Sequence, residues 1–477
     1  MKRLINVLIL TVFFLSLSNA SAQEITQQTK TQYEIELTKL LSNLNKVTGV
    51  PAFSVAVIHQ GKLVASVATG YANVDENKLA TDQSIFRLAS VSKIIGATML
   101  AELVTSGKLN PDQAIGDIFP ELDKKYHRIT VRHLVSHTSG IPHYQMKDYD
   151  IYDKHYDSAL AALSTLKSRS LLTPPGNNYR YSTHGYTLAG AIHEKISGLP
   201  LAHSIPEFIK QFTGKSTPLI ENIKALSPKA AKLYKLSGPQ TTIEPFGEKS
   251  YSVFGAGLSA TANDLAHFGY EVLIKAKNNS HYQQLLFTPT VTNSGRQVGN
   301  TKYQVGFGWR ISKDLHDREV YHHAGATPGA RSILMLYPQQ ELSISILSNA
   351  SWISGIDKLA FALASLYIDK AVHKPIIDKE KYHASFDGHQ ASGQISCRHQ
   401  TCYLASERTG YSKWLNKYNS TGELITDWPI FAYATNKGDR LLMVTKVGIT
   451  SLTRMGNGYQ ANVGKNKRYN IKLNLEK

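Results

Sequence analysis

Residues Phe86–Leu100 read FRLASVSKIIGATML, and this run decides how the chain is organised. An extended polar approach gives way at Ser90 to apolar residues of helical period, with a lysine at position 93. Residues one turn apart share a helix face, so the spacing predicts a hydroxyl beside an amine where a helix begins. A serine hydroxyl is a poor nucleophile near neutral pH and needs a base within hydrogen-bond reach. Lysine fills that role only where desolvation or a nearby cation lowers its pKa. Ile94, Ile95 and Met99 supply apolar surroundings, and a helix N-terminus favours developing negative charge. The spacing alone has little specificity, because Ser164-Thr165-Leu166-Lys167 repeats it on a polar helix.

Upstream, residues 27–46 form a polar helical stretch carrying Leu37, Leu40, Leu41 and Leu44. PAFSVAVIHQGKLVASVATGYANV then reads as two strands around a His59-Gln60-Gly61 turn. Downstream, the pattern is mainly helical to about Leu172, with a loop HTSGIPHYQ after a short helix at Val131–Ser136. Pro174-Pro175-Gly176 break the chain before YRYSTHGYTLAGAIHEKIS, a loop leading into another helix. Val320–Leu347 holds two or three strands, and Ile353–Val372 a long helix. Strands at both ends and helices between them predict an α+β domain over 23–375: an antiparallel sheet flanked by helices, with a helical subdomain. Beyond Pro375 the stretches GQISCRHQTCYLASE, RLLMVTKVG and SLTRMGNGYQANVG are short strands, with Asn457-Gly458 as a hairpin turn. A small β-rich C-terminal domain is therefore expected over 381–477.

The chain has 477 residues, 42% hydrophobic and 19% charged, enough for a full core. It starts with a basic pair, an apolar run from Leu4 to Leu17 and the small-residue site Ala20-Ser21-Ala22. That order reads as a cleaved signal over 1–22, so the chain is expected to be exported, to the periplasm or the extracellular space. No later segment is apolar for long enough to span a bilayer. Cys397 and Cys402 are the two cysteines; they either close a small loop as a disulfide or stay as thiols. The net charge is +17, and 381–477 holds 14 basic against 6 acidic residues. Such a surface suits an anionic partner, here a cell-wall polymer, while export argues against nucleic acid. No metal is expected: His193-Glu194 lacks a second histidine four places on, and His322-His323 point to opposite faces of a strand. No Gly-x-Ser-x-Gly elbow or phosphate-cradling glycine loop occurs, and no cofactor is expected.

Six stretches occur in order: FRLASVSK, HLVSHTSGIP, YSTHGYTLAG, GAGLSATANDLAHFG, YQVGFGW and HHAGATPGARS. Together, over Val50–Tyr367, they resemble the serine β-lactamase and penicillin-binding superfamily in its class C-like branch. Tyr181-Ser182-Thr183 is similar in particular to the mitochondrial serine β-lactamase-like proteins and their bacterial relatives. The resemblance implies a β-lactamase/transpeptidase-like fold and an acyl-enzyme on Ser90, with Lys93 and Tyr181 moving the proton. It also implies an oxyanion hole from the backbone N–H groups of Ser90 and Ala326, and a glycine at 325 where the strand nears the substrate. His323 stands where many relatives carry lysine, beside the tyrosine and the substrate. Thr183 replaces the usual asparagine and Ala324 the usual threonine or serine. Both departures favour an esterase or peptidase acting on a small molecule or peptide not fixed by a carboxylate. The alternatives are a β-lactamase or D,D-carboxypeptidase, and a weakly active or inactive cell-wall-binding protein. An unperturbed imidazole titrates near pH 6.5, so activity is expected to follow His323 between about pH 5 and 8.

Overall fold

The computed structural model describes residues 34–46, 48–145, 148, 151, 153–237, 240–353, 355–368, 379–386, 389–398, 401–406, 427–435, 438–445, 448–463 and 469–476. The expected signal lies outside them.

A first helix, α1 (residues 34–46), buries Leu37, Leu40, Leu41 and Leu44. The strands β1 (Ala52–His59) and β2 (Lys62–Asn73) form the expected hairpin. Its turn residues Gln60 and Gly61 take φ of 50° and 78°, the pair of positive values that matches the twist of the flanking strands. Helices α2 (Ser92–Thr105), α3 (His184–Ser197) and α4 (Ala262–Asn278) follow. Then come β3 (Arg310–Lys313), β4 (Glu319–Thr327), β5 (Ala330–Tyr337) and β6 (Leu342–Ser348), and helix α5 (Ile356–Ile368). β1 pairs with β6 from Phe53–Ser348 to His59–Leu342. Both ends of the domain thus meet in one eight-stranded sheet, in the order Lys78–Leu79, β2, β1, β6, β5, β4, β3, Gln304–Val305.

One face of the sheet packs on α4 and, at β4, on α2, with α3 packed against α2. Helix α4 crosses closely, and the buried Ser343 and Ser345 hydroxyls donate to its Ala266 and Ala262 carbonyls at 2.8 and 2.6 Å. Their polarity is thereby satisfied inside the core. The helical pattern expected up to Leu172 holds only in part. After α2 the helices are short, at Ile115–Ile118, Val131–Val135 and Ala159–Ala162, because Gly107, Pro111, Pro120, Gly140 and Pro142 interrupt the chain.

The opposite face packs on α1, α5 and the C-terminal strands. From Lys381–Phe386 to Tyr469–Leu475, eight strands close into an antiparallel barrel. Closure removes the exposed edges that an open sheet would carry. The last tight turn is Gly456-Asn457, one residue earlier than expected, with Met455 opposite Gly458. Gly456 supplies the positive φ of 60°, while Gly458 lies in the strand, where a Cβ would meet the Leu473 carbonyl at 2.4 Å. Register sets Cys397 opposite Cys402, but their side chains lie outside the described residues. Among the described residues no helix is long and apolar enough to cross a membrane.

The barrel reaches the first domain at the start of α5. Gly355 has φ of 71°, and a Cβ there would sit 2.3 Å from the Ile449 carbonyl oxygen. Gly355→Ala is expected to lower stability by about 1–3 kcal/mol, through strain and displacement of the barrel strand. Urea unfolding of the variant beside the wild type measures it.

Candidate active site

Ser90 is held from both sides before any helix begins. Strand Phe86–Arg87 pairs with Leu258–Ala260, and Arg87 is locked to Glu221 by a buried ion pair at 2.5 Å. The Leu88 N–H donates to the Leu258 carbonyl at 2.9 Å; the Leu88 carbonyl accepts from Ser332 Oγ at 2.5 Å. The next residue, Ala89, is buried with φ of 49°, a left-handed conformation that costs roughly 1–2 kcal/mol without glycine. A single 3₁₀ turn, Ala89–Val91, then carries Ser90 into α2, which starts at Ser92 rather than at the serine. The strained alanine turns the chain so that the half-buried Ser90 side chain faces the cleft between α2 and β4.

Lys93 is fully buried. Its Nζ lies 2.7 Å from the Gly255 carbonyl, 3.0 Å from Thr183 Oγ1 and 3.3 Å from Ser90 Oγ. Burial first, and then the Arg310 guanidinium, push its pKa well below the ordinary lysine value. An uncharged amine has two N–H bonds and one lone pair. The Gly255 carbonyl can only accept and takes one N–H. In that uncharged form, with the second N–H on Thr183, the lone pair is left for the Ser90 hydroxyl. Thr183 therefore holds the lysine through its hydroxyl, in place of the amide whose loss the sequence suggested.

Tyr181 lies on the other side of the serine. Its ring centroid is 4.9 Å from Lys93 Nζ, and its hydroxyl hydrogen-bonds with Ser90. Burial raises its pKa, opposed by Arg310 and by the Ser90 contact. The group is thus a phenol, able to hold and pass a proton.

His323 faces Tyr181, with ring centroids 6.3 Å apart, while His322 turns away to Ser312 at 3.0 Å. His323 Nδ1 donates to the Ala324 carbonyl at 2.8 Å, leaving Nε2 as the acceptor. The expectation that it titrates near neutrality does not hold. His323 is 1% exposed, and burial first, then Arg310, Lys93 and His137, hold its pKa well below 6.5. The imidazole is neutral through the physiological range.

Gly325 stands beside the nucleophile. A Cβ there would meet the Leu88 carbonyl at 2.2 Å and lie 3.1 Å from the Ser90 backbone nitrogen. Only a glycine lets β4 come so close. β3 pairs with β4 only as far as His322, so among the described residues the outer edge of β4 from His323 onward has no strand neighbour. Ala326, expected to supply the second N–H of an oxyanion hole, lies on this stretch.

Three participants were missed from the sequence. Gly255 accepts the Lys93 hydrogen bond, and a Cβ there would meet Ser252 Oγ at 2.2 Å and Thr183 Cγ2 at 2.6 Å. Arg310 sits over Tyr303 and Tyr181, at 4.4 and 5.8 Å from the ring centroids. No described carboxylate pairs with it. His143 accepts from the Thr183 N–H at 3.2 Å. The signals were present, since GAGLSATANDLAHFG, FGWR and SGIPH flank recognisable motifs, but nothing local tells these residues from packing ones. The second Ser-x-x-Lys is no site: Ser164 Oγ donates to the Ala161 carbonyl on an exposed turn. Glu194, next to His193, accepts from the Leu160 and Leu201 N–H groups, both at 2.9 Å.

The fold and the Ser90–Lys93–Tyr181 arrangement together are those of the β-lactamase-fold serine hydrolases. The Beta-lactamase family profile matches residues 37–353, and the chain belongs to that family. It is 25% identical over 399 residues to the human mitochondrial serine beta-lactamase-like protein LACTB, covering 65% of this chain and 73% of that one. To penicillin-binding protein 4* of Bacillus subtilis (strain 168) it is 25% identical over 305 residues, covering 61% and 66%. Among solved structures, the octameric penicillin-binding protein homologue from Pyrococcus abyssi superposes with a TM-score of 0.60 at 18% identity, over 92% of this chain and 99% of that one. A class C beta-lactamase gives 0.59 at 19% identity, over 71% and 97%. These two likenesses show the fold alone.

Gly325→Ala is expected to push β4 away from Ser90 and lower kcat by roughly 10²–10³-fold, the usual effect of losing an oxyanion donor. Steady-state kinetics on an activated ester, with circular dichroism to confirm folding, tests this.

Proposed function

We propose that the protein hydrolyses an ester or amide through an acyl-enzyme on Ser90. The observation that carries this reading is the buried Lys93, whose Nζ lies 3.3 Å from Ser90 Oγ and whose pKa burial and then Arg310 push well below the ordinary lysine value. A binding protein would gain nothing from an amine kept uncharged at the cost of desolvation. For a nucleophilic serine it is the required base.

In the proposed sequence Ser90 Oγ attacks the carbonyl carbon as its proton passes to Lys93. The N–H groups of Ser90 and Ala326 hold the oxyanion. As the tetrahedral intermediate collapses, the leaving group takes that proton by way of Tyr181. Water then attacks the acyl carbonyl, its proton goes to the same pair, and the acid is released with Ser90 restored. Lys93 must start uncharged. Activity therefore rises with pH through the lysine's depressed pKa and is lost as pH falls below it. His323, already neutral, adds no inflection near pH 6.5.

Arg310 supports a substrate with an anionic group near the acyl carbon. It is the cleft's standing cation, stacked on Tyr303 and half-buried. A carboxylate grip lost with the hydroxyl at 324 is thus available from β3. The reading otherwise places the chain with esterases and peptidases rather than with β-lactamases, because Ala324 and Thr183 change the surroundings those enzymes use. Residues 1–22 support export.

Two measurements test this. A fluorophosphonate is expected to label the wild type once and Ser90→Ala not at all by intact mass spectrometry, with ester turnover falling roughly 10⁴-fold or more. A folded wild type that takes up no label would overturn the reading. Arg310→Gln is expected to raise KM for a carboxylated aryl ester by about tenfold, the value of one charge-assisted hydrogen bond, and to leave the uncharged analogue within about twofold. Equal losses on both esters would remove Arg310 from substrate recognition.

A further inference from the structure

We propose that His137 and His143 are positioning residues that set Tyr181 and Thr183 by accepting hydrogen bonds from two consecutive backbone amides. This rests on the reading of Tyr181 as the proton carrier. The Ser182 N–H donates to His137 Nδ1 at 3.1 Å, and the Thr183 N–H to His143 Nδ1 at 3.2 Å. The same loop grips this segment twice more: the Arg180 N–H donates to the His137 carbonyl at 2.7 Å, and Ser182 Oγ to the Pro142 carbonyl at 3.0 Å. Both rings also bear on Tyr181, His137 at 4.3 Å between centroids and His143 edge-on at 5.2 Å and 88°.

These amides lie just ahead of α3, at its N-cap Thr183 and the residue before it, and neither has a partner within the helix. Serine, threonine, aspartate or asparagine is the usual acceptor at such a place. Imidazole differs from aspartate in one respect that matters here: it accepts without bringing negative charge. An aspartate beside Lys93 would favour the ammonium form and disable the base. Each Nδ1 must be unprotonated to accept, so the remaining ring proton is on Nε2. For His137, which is 2% exposed, that Nε2 is buried without a partner, and a second ring proton would bury a charge.

The surrounding groups enforce the neutral form. His137 faces Lys93, Arg310, His143 and His323, together with the Tyr179, Tyr181 and Tyr186 rings. Burial foremost holds its pKa well below 6.5. His143 faces Lys93, His137 and His184, the Tyr144 and Tyr181 rings, and Asp148, which alone pulls the other way. Burial foremost lowers it to about 4. Its folded pKa is depressed, so the stability it contributes is fully present above about pH 6.5 and falls as pH drops toward 4.

The half-buried His143 carries the test. His143→Ala, →Asn and →Asp are compared with the wild type and Tyr181→Phe by pH profiles of kcat and kcat/KM on an activated ester, with melting curves to establish folding. Loss of the acceptor in His143→Ala is expected to lower kcat about 10–100-fold with KM within about threefold, as misplacement of a catalytic group does. Asparagine, whose Oδ1 takes the place of Nδ1, is expected to recover kcat to within about threefold of wild type. Aspartate restores the hydrogen bond but moves the acid limb to higher pH by about one pH unit, because it stabilises charged Lys93. A folded His143→Ala with wild-type kcat and profile, beside an inactive Tyr181→Phe, overturns the positioning role and leaves Tyr181 as the carrier. So does an asparagine variant no better than alanine. A fully active Tyr181→Phe overturns the carrier reading and this proposal with it. If His143→Ala does not fold, His143→Gln, with its acceptor placed nearer Nε2, takes its place under the same criteria.

Discussion

An amine kept uncharged inside the protein is the constraint on which the site depends. Lys93 contacts Ser90, Thr183 and the Gly255 carbonyl, three elements far apart in the chain. Taking an ammonium out of water costs several kcal/mol, so burial converts it to the free amine. The surroundings preserve that state through neutral acceptors, a carbonyl and a hydroxyl, and through the repulsive Arg310 guanidinium. Two buried carboxylates are occupied elsewhere: Glu221 by Arg87 and Asp148 by Arg169.

The same logic explains the three imidazoles around Tyr181. His137, His143 and His323 are buried or half-buried, and desolvation foremost holds each below the ordinary imidazole pKa. Neutral histidine gives a hydrogen-bond acceptor of aromatic shape that packs on the tyrosine without altering the charge of the site. Arg310, planar and stacked on Tyr303, supplies the positive charge that a cleft of neutral groups lacks.

The scaffold brings these groups together through close backbone approach. At Gly325 and Gly255 an added Cβ would strike neighbours near 2.2 Å, and Ala89 takes a left-handed turn to aim Ser90. These departures from relaxed geometry surround the reacting atoms, where a packed framework can hold them. The shared core of α1, α5, the sheet and the barrel stiffens the opposite face. The barrel's strands thus belong to the structure that supports β4 through β5 and β6.

Much of the plan was legible in the chain itself. Alternating apolar residues around Gln60-Gly61 specify the first hairpin, and the leucines at 37, 40, 41 and 44 specify the face that α1 buries, since local pattern and turn chemistry act over a few residues. Ser90 and Lys93 stood out because a serine nucleophile needs a base one helical turn away, whereas Tyr181 and Gly325 stood out only through the resemblance of ordered stretches to a known family. The interruptions after α2 follow local glycines and prolines, while the one-residue shift of the Gly456-Asn457 turn shows where packing of Gly458 against the Leu473 carbonyl overrode local preference. Tertiary structure alone decided the charge states and the partners. Whether Thr183 could replace an amide, whether His323 titrates, and where Arg310 places its charge all depend on burial and on groups that other elements bring close. Neither desolvation nor Coulomb repulsion between elements leaves a mark in the order of residues.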